Sequence, residues 1–123
     1  MDFKKLKQEY INWQTQKIQF YAWSSKVAQV ETTTLDAYGR HPFVVVEEKD
    51  GYFTVTDDGA LMYKYDPLEE NEELEEYAPG MIEDSGFDYD EEHCVIYKDV
   101  YEKDVPAVIT GLIQLEVMIS FIA

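Results

Sequence analysis

The chain has 123 residues, 46% apolar and 15% aromatic, with 26 acids against 10 bases and a formal net charge of −16. That length and apolar content suit a single folded domain spanning residues 1–123 with a buried core, despite the charge. No stretch reaches the ~18 uncharged apolar residues of a membrane span, no apolar run follows the basic start MDFKKLKQEY, and so negative a field repels phosphate; a membrane anchor, a secretory signal and direct nucleic-acid binding are not expected, and a cytoplasmic location is.

In DFKKLKQEYINWQ the apolar residues Phe3, Leu6, Tyr10 and Trp13 recur at intervals of three and four, which predicts an amphipathic helix over 2–16 with Lys4, Lys5, Lys7 and Gln8 opposite. Four runs rich in β-branched and aromatic residues follow, KIQFYA, KVAQVETTT, PFVVVEE and GYFTVTD, and they read as strands. The Asp50-Gly51 pair between the last two is a strong short-range hairpin signal, so the strands form a largely antiparallel meander. Asp58-Gly59 ends it and starts a helical turn over 60–64. Pro67 is placed to open a second helix, since proline suits a first turn, and Pro79-Gly80 to close it. HCVIYKD reads as a further strand, and Asp104 with Pro106 begins a C-terminal helix whose apolar positions cover most of its circumference. The expected fold is α+β: a small antiparallel sheet of four to five strands, the N- and C-terminal helices packed on one face, and an acidic helical insertion over about 60–92.

Charge is not spread evenly. Residues 1–56 hold seven acids and seven bases, whereas residues 57–104 hold eighteen acids against Lys64, Lys98 and Lys103, a net of −15. Solubility needs far fewer charges, and such a block destabilises the compact state by self-repulsion, so it calls for a use.

The segment VETTTLDAYGRHPFVVVEEKDGYFTVTDDG, together with DVPAVITGLIQLEVMISF, resembles the uncharacterised bacterial and phage proteins grouped as domain of unknown function family 1828. The matching features are Thr33-Thr34-Leu35-Asp36, Thr56-Asp57-Asp58-Gly59 and Leu112-Ile113-Gln114. The resemblance covers roughly residues 19–66 and 105–123; it implies occurrence in mobile elements and brings no catalytic assignment. The chain departs from the family at 66–92, where the family is more basic and this sequence is strongly acidic. That acidic middle also resembles phage-encoded DNA-mimic inhibitors of the anti-CRISPR and anti-restriction type.

Several constellations bear on chemistry. Asp36 followed by Glu47-Glu48-Lys49 imitates a Mg²⁺-dependent nuclease site, in which an aspartate and a Glu-x-Lys on adjacent strands hold the ion; Lys49, however, falls in the hairpin turn. EDSGFDYDEEHC spaces Asp84, Asp88, Asp90 and Glu92 in the manner of a calcium loop, but its sixth and twelfth positions are Tyr89 and Val95 where glycine and glutamate are required. His41 and His93 stand apart, and no phosphate-binding glycine loop or nucleophile elbow occurs. Cys94 is the one cysteine and reads as a buried small hydrophobe. No cofactor, metal or catalytic residue is expected.

The run DPLEENEELEEY is the sharpest feature. On a helix over 67–77, Glu69, Glu72, Glu73 and Glu76 form a stripe with side chains about 5–6 Å apart. Together with Asp66, Glu70 and Glu75, and with Asp84, Asp88, Asp90, Glu91 and Glu92 further on, they approach the charge density of a nucleic-acid backbone. Tyr77 and Tyr89 are interleaved as aromatic anchors of the kind that supply interface affinity. The expected role is a non-enzymatic inhibitor that presents a DNA-like surface to a basic nucleic-acid-binding bacterial protein, such as a CRISPR effector nuclease or a restriction enzyme. The nuclease-like domain using Asp36, Glu47 and Lys49, an accessory regulatory domain, and a merely solvated acidic helix are the alternatives.

Overall fold

The computed structural model describes all 123 residues. Helix α1 (Phe3–Lys17) starts where Asp2 caps it, its carboxylate accepting the Lys5 N–H at 3.0 Å, and runs directly into strand β1 (Gln19–Ala22). Strands β2 (Val27–Glu31), β3 (Phe43–Glu48) and β4 (Phe53–Thr56) follow, with Gly51 at φ +84° in the β3–β4 hairpin, a conformation that glycine adopts without steric cost. After the Asp58-Gly59 turn come helices α2 (Ala60–Tyr65) and α3 (Glu72–Asp84), strands β5 (Asp88–Asp90) and β6 (Val95–Val100), a 3₁₀ turn (Glu102–Asp104) and helix α4 (Val105–Ser120). The six strands form one antiparallel sheet in the order β1-β2-β3-β4-β6-β5. The fold is α+β, and no helix is long and apolar enough to cross a membrane.

The core lies between the sheet and α4, which packs on β3 and β4, while α3 packs against α4 and β5. Val30, Val44, Val55 and Ile96 from the sheet meet Ile109, Leu112, Ile113, Leu115 and Ile119 from α4. Leu61, Met62, Leu74, Ala78, Ile82 and Phe87 belong to the same cluster. The acidic middle is therefore built into the core and is not an appendage inserted between strands.

Four sequence expectations are corrected. The sheet has six strands and not four to five: Asp88–Asp90 pairs with β6 and closes a hairpin through residues whose acidity disguises a strand. Helix α3 starts five residues later than the Pro67 signal suggests, because the Asn71 side chain caps it by accepting the Leu74 N–H at 3.0 Å, and Pro79 and Gly80 lie within it. Pro79 leaves a backbone carbonyl one turn earlier without its N–H partner, a loss tolerated where the helix borders solvent. Helix α4 buries one side only; Thr110, Gln114 and Met118 are exposed, and the buried side includes Glu116. Finally, α1 is not packed on the sheet: it buries no residue, and its predicted core face stands open, from Phe3 at 73% exposure to Trp13 at 46%. The helix leads into β1, an edge strand that is itself exposed throughout, so no second layer lies over the α1 face.

Candidate functional site

The Asp57-Asp58-Gly59 turn borders a cleft open to solvent. Asp57 is fully buried, and its carboxylate accepts the N–H groups of Gly59 at 3.0 Å, Ile96 at 2.9 Å and Leu61 at 3.1 Å, which ties the end of β4 to β6 and to the first turn of α2. Burial nonetheless pushes its carboxyl up from the usual range. Facing α2 and the start of α3 is the β5–β6 turn, where His93 folds back on Asp90 with its backbone N–H at 3.2 Å from Oδ1 and Nδ1 at 2.8 Å from Oδ2; these contacts hold the Asp90 carboxyl below the usual range. Between the two walls opens a cleft of about 770 Å³.

Its lining unites stretches far apart in sequence. Asp66, Glu69 and Glu75 come from the α2–α3 segment, and Tyr89, Glu91 and Glu92 from the β5–β6 hairpin; all six belong to the expected partner-binding set. The other members stand outside the cleft. Glu70, Glu72, Glu73, Glu76 and Tyr77 are exposed around the start of α3, Asp84 is exposed at its C-terminal end, and Asp88 and Asp90 lie on β5. The stripe expected along one helix is broken, because Glu69 precedes α3 and has a left-handed backbone at φ +53°. Only Glu72, Glu73 and Glu76 share the helical surface.

Asp66 occupies a position that its sequence context did not suggest. It is only 7% exposed, and Oδ1 accepts the N–H groups of Glu70 at 2.8 Å and Asn71 at 2.9 Å, so it organises the approach to α3. Its Oδ2 is buried and receives no donor. Beside it, desolvation, the proximity of Asp66 and the neighbouring charges of Glu69 and Glu72 hold the Glu75 carboxyl above the usual range. Asp58, Tyr63, His93 and Cys94 complete the wall. Of these, only the Asp-Asp-Gly turn carried a positional signal in the sequence.

The bases within residues 57–104 do not neutralise this face. Lys64 turns away to Asp36 at 3.1 Å, and Lys98 lies over the Phe87 ring at 5.8 Å. No Lys or Arg forms an ion pair with any carboxylate from Asp66 to Glu92.

A second cluster of acids lies inside the fold, beneath α2 and α4. Asp36 is buried, with Oδ1 accepting the Tyr38 and Arg40 N–H groups at 2.9 and 3.0 Å and Oδ2 accepting from Lys64 and the Tyr65 hydroxyl. Burial opposes its ionisation, but these donors outweigh it and hold the carboxyl well below the usual range. Glu116 faces a small recess bordered by Pro42, Phe43 and Lys64; burial, and secondarily Asp57, push it well above the usual range, with Oε2 unpartnered. A lone glutamate in an otherwise apolar helix was the available sequence signal. Asp36 does not meet Glu47 and Lys49. Those two pair with each other at 2.9 Å near the far end of β3, roughly 13 Å along the strand from the Phe43 end at ~3.3 Å per residue. No three Asp, Glu, His or Cys side chains are grouped to hold a metal ion. A scan against protein-family models and searches of curated proteins and of solved structures give no match.

Proposed function

We propose that the acidic half of the chain is a docking surface for a basic, nucleic-acid-handling bacterial protein, a CRISPR effector nuclease or a restriction enzyme being the concrete case, and that occupying the partner's phosphate-binding residues inhibits it. The observation that carries this reading is the convergence on one cleft of acids from two separate runs, Asp66, Glu69 and Glu75 from one and Glu91 and Glu92 from the other, with no lysine or arginine paired to them. Uncompensated carboxylates repel one another and weaken the fold that carries them. A cationic partner relieves that repulsion, and long-range attraction raises the rate of encounter. Lys and Arg side chains that hold phosphate accept carboxylates through the same charge-assisted hydrogen bonds. The exposed Tyr63 and Tyr77 offer aromatic contact area at the same surface. The nuclease-like alternative loses its geometric basis, since Asp36, Glu47 and Lys49 do not share a site.

The test measures DNA cleavage by a panel of purified CRISPR effector nucleases and restriction enzymes, with and without the protein, at low and high salt. Inhibition of at least one member is expected, weakening as salt rises. A variant carrying Glu72→Gln, Glu73→Gln, Glu76→Gln, Glu91→Gln and Glu92→Gln keeps side-chain size while removing five charges, and it should lose most of that inhibition, chiefly through slower association. A panel on which the protein has no effect, or a variant that inhibits as well as the parent, overturns the proposal.

A further inference from the structure

We propose that the cleft between α2 and the β5–β6 turn is a receptor for a single guanidinium group, supplied by an arginine side chain projecting from the partner. The inference rests on the docking role above and identifies which partner chemistry enters the concavity. It starts from Asp66, whose Oδ2 is buried without a donor while Oδ1 is fully engaged by two backbone N–H groups. A buried carboxylate oxygen left without a hydrogen bond is costly and rare in folded proteins. A second acid, Glu75, lines the same cleft as Asp66. Two neighbouring carboxyl groups are reconciled by a shared proton or by a cation that donates to both.

The lining distinguishes among cations. A divalent ion needs several oxygen ligands converging at ~2.0–2.6 Å, and no three acidic or histidine side chains group closely enough. An ammonium is a compact, strongly hydrated point charge and gains little from scattered acceptors. A guanidinium presents five N–H donors in a planar fork, can bridge Asp66 and Glu75 while still reaching Glu69, and offers two apolar faces to aromatic rings. Tyr63 and Tyr89 stand in the lining to receive those faces. The cleft, about 770 Å³ and open to solvent, has room to admit an arginine side chain.

The test titrates the intact chain at low salt with Nα-acetyl-arginine amide and, separately, with Nα-acetyl-lysine amide, following the ring resonances of Tyr63 and Tyr89 by NMR. The arginine compound should shift both rings and bind at least tenfold tighter than the lysine compound. Asp66→Asn should weaken arginine binding at least tenfold. Because Asp66 also organises the start of α3, Glu75→Gln, a change on the exposed side of the pair, is measured beside it and should weaken binding several-fold in a fully folded protein. The triple change Glu72→Gln, Glu73→Gln, Glu76→Gln should leave arginine binding within twofold. Equal affinity for the two compounds, absence of ring shifts, or indifference to Glu75→Gln overturns the inference. The two proposals fail separately: a partner whose binding needs Glu72, Glu73 and Glu76 but ignores Glu75→Gln removes the arginine receptor and keeps the docking surface. Selective arginine binding by a chain that inhibits no member of the nuclease panel does the reverse.

Discussion

Helices α1 and α3 are of similar length, 15 and 13 residues, and they use their side chains in opposite ways. Helix α1 carries five large apolar residues between Phe3 and Trp13 and buries none, whereas α3 carries six acids in its first five positions and its last two, yet Leu74, Ala78 and Ile82 are fully buried. The difference lies in how each is tethered. Helix α3 is held at both ends, by the Asp66 and Asn71 caps and by the β5 strand, over a gap that α4 leaves open. Helix α1 is attached only through β1 at the free edge of the sheet, and its last turn merely borders a recess near Thr32, Thr33 and Thr34. An apolar stripe thus identifies the face a helix can bury, and only an opposing surface buries it. The same contrast separates the acids: those on the rim of the cleft are exposed, while Asp36, Asp57 and Glu116 are enclosed and shifted in opposite directions by what surrounds them.

The largest expected effect tests α3 as a core element. Leu74→Ala removes a fully buried side chain and should lower unfolding stability by about 2–5 kcal/mol in a urea titration, enough to unfold much of a marginal domain. A Leu74→Ala protein as stable as its parent would return the acidic segment to the surface.

Next in size are the enclosed acids, read from stability as a function of pH. Asp36 has a folded-state pKa below its unfolded value near 3.9, so its contribution is present above that pH and is lost as pH falls. Asp36→Asn should therefore cost roughly 1–3 kcal/mol at neutral pH, and the gap to the parent should narrow steadily below about pH 4. Glu116 is shifted the other way: its folded form retains a proton that the unfolded chain releases near pH 4.3, so it makes stability fall as pH rises from there toward its raised folded value. Glu116→Gln should abolish that decline. Parallel pH profiles for parent and both variants would show that neither acid is enclosed as described.

The smallest effect is expected in α1. Leu6→Ser and Trp13→Ser, though they remove large apolar groups, should each change stability by less than about 0.5 kcal/mol, since both side chains already face solvent. A loss comparable to that of Leu74→Ala would mean that the α1 face is covered in the folded protein, and would erase the contrast between the two helices.

Sequence alone determined the elements whose signals are local. Runs rich in β-branched and aromatic residues located the first four strands, Asp50-Gly51 marked the hairpin between the last two, periodicity placed α1 within a residue of its ends, and Asp104 with Pro106 marked the start of α4. The concentration of negative charge in residues 57–104 was likewise legible by counting. The tertiary structure decided what lies opposite what. Strand β5 was hidden because two of its three residues are aspartates, and only pairing with β6 supplies its hydrogen bonds. The expected stripe was lost because the Asn71 cap, one N–H bond among several competing starts, set where α3 begins. The cleft exists because the order β4-β6-β5 returns the chain beside α2 after some thirty residues, placing Glu91 and Glu92 across from Asp66 and Glu75. Burial and charge coupling are properties of surroundings assembled from distant segments, so the same carboxyl group is a solvated charge at Glu72, a backbone anchor at Asp57 and an unpartnered acceptor at Asp66.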